Sequence, residues 1–352
     1  MTSRASALFI ALALIGSAVQ ADAETSGARA FAAVARRPQE PPPPPKPLAG
    51  LIGQYGAGGD FLDIYEDGGR LVAKQGEAAS LPLSKVSRAV YAAPGDSRSF
   101  AFDLGPTGAA TGVKVGGVRL ARRDFGVEAQ AAIRAMVHAD AGERRQAALR
   151  ASPPAEPARP WPSDLVSLSR IDPAIKFDIR YATGDNFMGF PLYERAAAFM
   201  QRPAAMALAR VDKAVRAKGY GLLVFDAYRP WFVTKMFWDA VPAEGKVFVA
   251  DPAQGSRHNR GCAVDLTLYD LGTGKPVEMT GRYDEMSKRS YADYAGGTSR
   301  QRWLRDLLRR EMEAQGFRVY PEEWWHFDYK DWANYPIGNR TFDQVEGENS
   351  AR

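Results

Sequence analysis

Two short segments late in the chain gather histidines and carboxylates at spacings that suit hydrolysis at a metal ion. Ser256-Arg257-His258-Asn259-Arg260-Gly261-Cys262-Ala263-Val264-Asp265 and Glu323-Trp324-Trp325-His326 hold two of the three histidines, each with a carboxylate nearby. Catalytic zinc takes three protein ligands from His, Asp or Glu, keeps a fourth position for water, and works with a separate carboxylate that accepts the water's proton. His258, Asp265 and His326 can fill the ligand role and Glu323 the proton-accepting role. The third histidine, His138, sits between Val137 and Ala139 in an Ala-rich helical stretch. Metal sites need several converging donors, so it reads as a surface or packing residue.

Strands and turns must bring these groups together. Along Cys262 to Leu268 the two-residue strand period puts Cys262, Val264, Leu266 and Leu268 on one face and Ala263, Asp265 and Thr267 on the other. Asp265 therefore has small neighbours, as a carboxylate lining a cleft would. Burying it unpaired costs several kcal/mol, so a cation, or an ion pair with Arg260 or another arginine, must compensate. Glu323 and His326 are three apart, which puts them on opposite faces of a regular strand; the β-prone Trp324-Trp325-His326-Phe327 favours strand, so Glu323 is expected in the turn after Pro321. In Phe225-Asp226-Ala227-Tyr228-Arg229-Pro230, Arg229 follows an apolar strand and precedes a helix led by Pro230. It can hold a developing oxyanion or simply pair with Asp226. Cys262, between apolar neighbours, is not a plausible nucleophile.

The rest of the chain reads as scaffold. With 352 residues, 45% hydrophobic and 25% charged, it can hold two cores. A net charge of +5 is small beside 46 basic and 41 acidic side chains, and no basic run interleaves with aromatics, so nucleic acid is not an expected partner. Arg4, the apolar run Ala7 to Val19 and the small residues of Gln20-Ala21-Asp22-Ala23 predict a cleaved signal peptide over 1–23 and export to the periplasm or beyond. That run is too short to span ~30 Å of hydrocarbon, so no stable membrane insertion is expected after cleavage. One cysteine permits no internal disulfide. A Pro-rich linker over 24–47, with five consecutive prolines from Pro41 to Pro45, leads to a small β-rich domain over 48–125. There Phe61 to Tyr65 and Arg70 to Lys74 flank Glu66-Asp67-Gly68-Gly69, and Ser99 to Leu104, Gly112 to Val115 and Val118 to Ala121 are further strands of a sandwich or barrel. A helical segment and Pro-rich linker cover 126–160. The catalytic domain, 161–345, is expected to be α+β with a mainly antiparallel central sheet. Its strands include Ile175 to Tyr181 and Gly221 to Phe225; one helix runs from Pro203 to Gly219, and Ser299 caps another with the stripe Leu304, Leu307, Leu308 and Met312.

Ser-x-His-x-x-Gly-x-Ala-x-Asp at Ser256 to Asp265, Glu-x-Trp-His at Glu323 to His326 and Asp-x-Tyr-Arg-Pro at Asp226 to Pro230 together resemble the zinc D-alanyl-D-alanine dipeptidase family, which includes the vancomycin-resistance dipeptidase. Tyr181 to Phe187 and Asp265 to Tyr269 extend the resemblance, which covers Ser163 to Tyr335. It implies one zinc ion on His258, Asp265 and His326, Glu323 as general base and acid, Arg229 as transition-state stabiliser, and Ser256 and Asp284 as contacts to the dipeptide. It also implies the α+β metallopeptidase fold shared with D,D-carboxypeptidases and hedgehog-like domains. Residues 48 to 55 and 119 to 123 weakly resemble lipocalin-like barrels appended to secreted hydrolases. The expected activity is hydrolysis of D-Ala-D-Ala in cell-wall dipeptide turnover. Alternatives are a D,D- or L,D-carboxypeptidase acting on peptidoglycan stems and a noncatalytic cell-wall binding protein.

Overall fold

The glycine turns near the start of the chain become tight reversals in the computed structural model, which describes residues 39–58, 61–123, 127–156 and 160–351. The expected signal peptide lies outside these residues. Eight strands follow one another: β1 (Gly53–Tyr55), β2 (Leu62–Asp67), β3 (Arg70–Gln75), β4 (Leu81–Lys85), β5 (Val90–Ala92), β6 (Ser99–Leu104), β7 (Ala110–Val115) and β8 (Val118–Ala121). Each pairs antiparallel with its chain neighbour. Gly68 and Gly69, at φ 54° and 81°, make the β2–β3 turn, a conformation costly for residues with a Cβ. Gly56 N donates to Ala121 O (2.8 Å) and Arg123 N to Gln54 O (2.9 Å), so the last strand returns to the first and the sheet closes. Its interior is filled by side chains including Tyr55, Ile64, Phe100, Phe102 and Val113.

The second sheet has the order β10-β12-β13-β15-β14. Its strands are β10 (Lys176–Phe177), β12 (Tyr220–Asp226), β13 (Ala263–Asp270), β14 (Phe317–Tyr320) and β15 (Glu323–Tyr329); β9 (Leu165–Ser167) and β11 (Phe199–Gln201) pair apart from it. Only β10 runs parallel to its neighbour, so the sheet is mainly antiparallel. The strand expected from Ile175 to Tyr181 shrinks to two residues. After Asp178 N bonds Val224 O the chain leaves the sheet edge and turns through the short 3-10 helix Arg180–Ala182, carrying Tyr181 into the interior.

Helices accompany this sheet, two of them packed on its apolar face. α1 (Val127–His138), α2 (Ala141–Arg150), α3 (Arg202–Arg216), α4 (Trp231–Ala240), α5 (Ser299–Glu313) and α6 (Phe342–Ala351) follow in chain order. Leu208, Val211 and Val215 of α3 and Leu304, Leu307, Leu308 and Met312 of α5 share a core with Leu222, Val224, Val264, Leu266, Leu268 and Phe327 of the strands. Full burial of each such side chain contributes roughly 1.5–3 kcal/mol. Thr298, rather than Ser299, caps α5: its hydroxyl accepts from Gln301 N while the Gln301 side chain accepts from Thr298 N. Ile133 and Val137 of α1 and Ala148 of α2 lie in this same core, so the catalytic core extends ahead of residue 161.

Residues 40–352 form one compact unit, and specific polar contacts run between its two sheets. The buried Glu66 carboxylate accepts from Ser299 N (2.8 Å) and Gly69 N (2.6 Å), Glu66 N donates to Gly297 O, and Tyr294 OH donates to Asp63 Oδ1 (2.7 Å). Glu40, immediately ahead of the five consecutive prolines, accepts from Tyr220 OH and pairs with Arg300, which anchors the Pro-rich stretch at that point. Among the described residues no helix is long and apolar enough to cross a membrane.

Candidate metal centre

A polar row crosses three strands on the sheet face away from α3 and α5. Asp265 of β13 stands directly opposite His326 of β15, and on its other side opposite Asp226 of β12. Regular pairing would set Phe225 against Asp265; an irregularity between Val224 and Asp226 substitutes the carboxylate. A second irregularity solves the spacing of Glu323 and His326. Val319 pairs with Phe327 but the next residue, Tyr320, pairs with Glu323, so Trp324, Trp325 and His326 fall between the two pairings. Glu323 and His326 thus reach the same cavity although they are three apart in one strand. Glu323 is the first residue of β15, one place beyond the turn expected to hold it.

His258 arrives from the loop before β13. Its Nε2 lies 3.1 Å from His326 Nδ1 and 3.3 Å from Asp265 Oδ1, and His326 Nδ1 lies 3.0 Å from Asp265 Oδ1. All three residues are buried. Zinc bonds of ~2.0–2.1 Å in a tetrahedron imply donor separations of ~3.3–3.4 Å, so this donor set fits the ion. The outer ring nitrogens are held as metal-binding imidazoles usually are. His258 Nδ1 donates to Ala227 O (2.6 Å) and His326 Nε2 to Asp328 Oδ1 (2.9 Å), which aims the other nitrogen of each ring at the centre. Tyr283 OH donates to Asp265 Oδ2 (3.0 Å), leaving Oδ1 for a cation.

The electrostatics agree. Burial works against the charge on Asp265, but His258 and His326 outweigh it and hold the carboxyl well below its usual range. Burial also disfavours a charged His326, yet Asp328 and Asp265 push it up to about 10. A cation therefore suits the place, and a bound metal ion would replace the Nδ1 proton. Glu323, whose Oε2 is 3.7 Å from His326 Nδ1, is raised to about 8 by burial, with Asp265 and Asp284 adding to the rise.

Arg229 pairs with Asp226 and also faces the cavity. Its Nε donates to Asp226 Oδ2 (2.9 Å) with Nη2 at 2.8 Å from the same oxygen, and it also lines the cavity, with Nη2 3.7 Å from Asp265 Oδ2. Burial opposes its charge, but Asp226 and its other neighbours keep it firmly protonated. Asp284 accepts from Tyr181 OH (3.0 and 3.1 Å), and burial followed by Asp265 pushes its carboxyl up to about 7. Ser256 accepts from His258 N (3.2 Å), shaping the loop that delivers the histidine. His258, Asp265, His326, Glu323, Arg229, Ser256 and Asp284 all line one cavity of about 280 Å³. His138 is exposed at the end of α1, outside that cavity lining, and Cys262 is buried in the core with its thiol pushed up by burial. The pairings made by Asp328, Tyr283 and Tyr181 escaped sequence reasoning, because each partner is fixed by tertiary register.

Residues 162–346 match a family described as D-Ala-D-Ala dipeptidase, Peptidase_M15. A D-alanyl-D-alanine dipeptidase of Escherichia coli strain K12 is 35% identical over 175 residues, 50% of this chain and 89% of its own. One from Enterococcus faecium is 35% identical over 197 residues, covering 50% and 95%. One from Streptomyces coelicolor is 32% identical over 186 residues, covering 48% and 92%.

Proposed function

The chain belongs to the D-Ala-D-Ala dipeptidase family of M15 peptidases, and from that premise we propose that it is an exported zinc enzyme that hydrolyses D-Ala-D-Ala to two D-alanine molecules. His258, Asp265 and His326 would hold the ion. Zinc, when bound, supplies Lewis acidity toward the scissile carbonyl and makes water a better nucleophile at neutral pH. Glu323 takes the proton from the attacking water and returns it to the leaving amine, its carboxylate lying beside His326 in the same cavity. Arg229, fixed by Asp226, presents a rigid cation to the oxyanion that develops on the carbonyl oxygen. Asp284 meets the free ammonium of the dipeptide, and Ser256, in the same cavity lining, is a further contact to it.

The observation that carries the reading is the convergence of three buried donors at 3.0–3.3 Å with Glu323 beside them in one cavity. The Asp284 carboxylate in the cavity wall favours a substrate with a free amine over peptidoglycan stem peptides, the carboxypeptidase alternative. Glu323 speaks against a noncatalytic wall-binding role, since binding alone needs no proton acceptor there. Export rests on the leader-like residues 1–23; an exported enzyme would act on dipeptides released from the wall, not on the cytoplasmic pool. We likewise propose the β-rich sheet over 48–125 as an accessory domain. Zinc-loaded protein should release D-alanine from D-Ala-D-Ala, and Glu323→Ala should not. No release by either, with zinc bound, would overturn the dipeptidase reading.

A further inference from the structure

Asp284 is the one non-glycine among the described residues with positive φ, at 58°. Such a backbone persists only where its surroundings impose it, and it often does so at a functional site. One restraint comes from far upstream: Gln130 Nε2 of α1 donates to the Asp284 carbonyl (3.0 Å). Arg134, one turn along the same helix face, donates from Nη2 to Asn186 O (2.6 Å), beside the cavity-lining Phe187. Its stem lies so close to Gly189 that a Cβ there would come within 3.0 Å of Arg134 Cγ. A single face of α1 therefore braces two walls of the catalytic cavity. This helix precedes residue 162, where the family match begins.

We propose that Gln130 is a positioning residue that holds Asp284 in the backbone conformation presenting its carboxylate to the substrate ammonium. The proposal rests on the dipeptidase reading and deepens it: recognition of the free amine is set partly by a helix outside the shared catalytic unit. Losing the Gln130 donor lets the Asp284 backbone relax toward ordinary φ and withdraws the carboxylate, while the metal ligands, Glu323 and Arg229, held by other elements, stay in place.

The test uses the full zinc-loaded chain and Gln130→Met, which keeps the side-chain length and loses the donor. KM for D-Ala-D-Ala should rise about tenfold, the effect of one lost hydrogen bond, with kcat within about twofold and zinc content unchanged. The same substitution on an Asp284→Ala background should then add nothing, since Gln130 acts only through Asp284. A Gln130→Met enzyme with parental KM, or an effect that persists undiminished without the Asp284 carboxylate, overturns the inference while the dipeptidase reading stands. If Asp284→Ala itself leaves KM unaltered, the ammonium reading fails and takes the inference with it. Should Gln130→Met fold poorly, Gln130→Glu tests the same bond without change of shape.

Discussion

The two sheets solve opposite problems. In the barrel each strand pairs with its chain neighbour, the interior is apolar and aromatic, and the ladder shifts only between Asp103 and Leu104, beside the exposed Leu104 side chain. In the catalytic sheet the strands are shuffled in sequence, and both irregularities fall where polar groups enter the interior. Regular pairing makes a sheet stable and inert; displaced pairing lets Asp226, Asp265, His326 and Glu323 meet on one face. The difference in regularity is thus a difference between scaffold and chemistry.

The sharpest way to break this contrast is Glu323→Ala. Loss of a general base should lower turnover by up to ~10⁴-fold with zinc stoichiometry intact, checked by D-alanine release and metal analysis. Phe100→Ala, inside the barrel, should instead cost about 3–5 kcal/mol of stability in denaturant unfolding and leave zinc stoichiometry alone. A comparable loss of bound zinc would mean that the two regions are less separable than their pairing implies. Arg229→Lys keeps a cation beside the buried Asp226 but loses the planar fork, and should cost roughly a hundredfold to a thousandfold in kcat. Parallel loss of zinc would remove Arg229 from the oxyanion role. A subtler effect belongs to Asp284. Burial and Asp265 raise its pKa to about 7, and ammonium recognition needs the charged form, so kcat/KM should fall as pH drops through about 7 or below. Zinc, by countering Asp265, moves that limb downward; Asp284→Asn should remove the Asp284 contribution and leave that of Glu323. The smallest change is Thr298→Ala, which removes the α5 cap and should cost about 1 kcal/mol in thermal unfolding.

Much of the site was legible because its ligands sit in local patterns. Strand alternation put Asp265 opposite in facing to Val264, and the structure separates them in that way, Val264 in the core and Asp265 in the cavity. The apolar stripes of α3 and α5 and the paired glycines of the β2–β3 turn were equally local. What stayed hidden depends on register or distance. No periodicity announces the three residues interposed in β15, so Glu323 was expected in a turn. Gln130 and Asp284 are 154 positions apart, and nothing local links a glutamine in an Ala-rich helix to a carbonyl in a loop. The expected strand through Tyr181 failed because the chain leaves the sheet edge after Asp178 in a 3-10 turn, with Arg180 paired locally to Asp178 and Asp185, that the apolar pattern does not encode.

The contact between Glu66 and Ser299 has an electrostatic consequence for α5. That helix has no acidic residue in its first turn and carries Arg300, Arg302 and Arg305 near its start, where the helix dipole is positive and cations are unwelcome. Its compensating anions come from upstream: the Glu66 carboxylate at Ser299 N, 233 positions earlier, Asp67 paired with Arg302, and Glu40 paired with Arg300. A chain trimmed to the portion it shares with its relatives would keep the arginines and discard the charges that offset them.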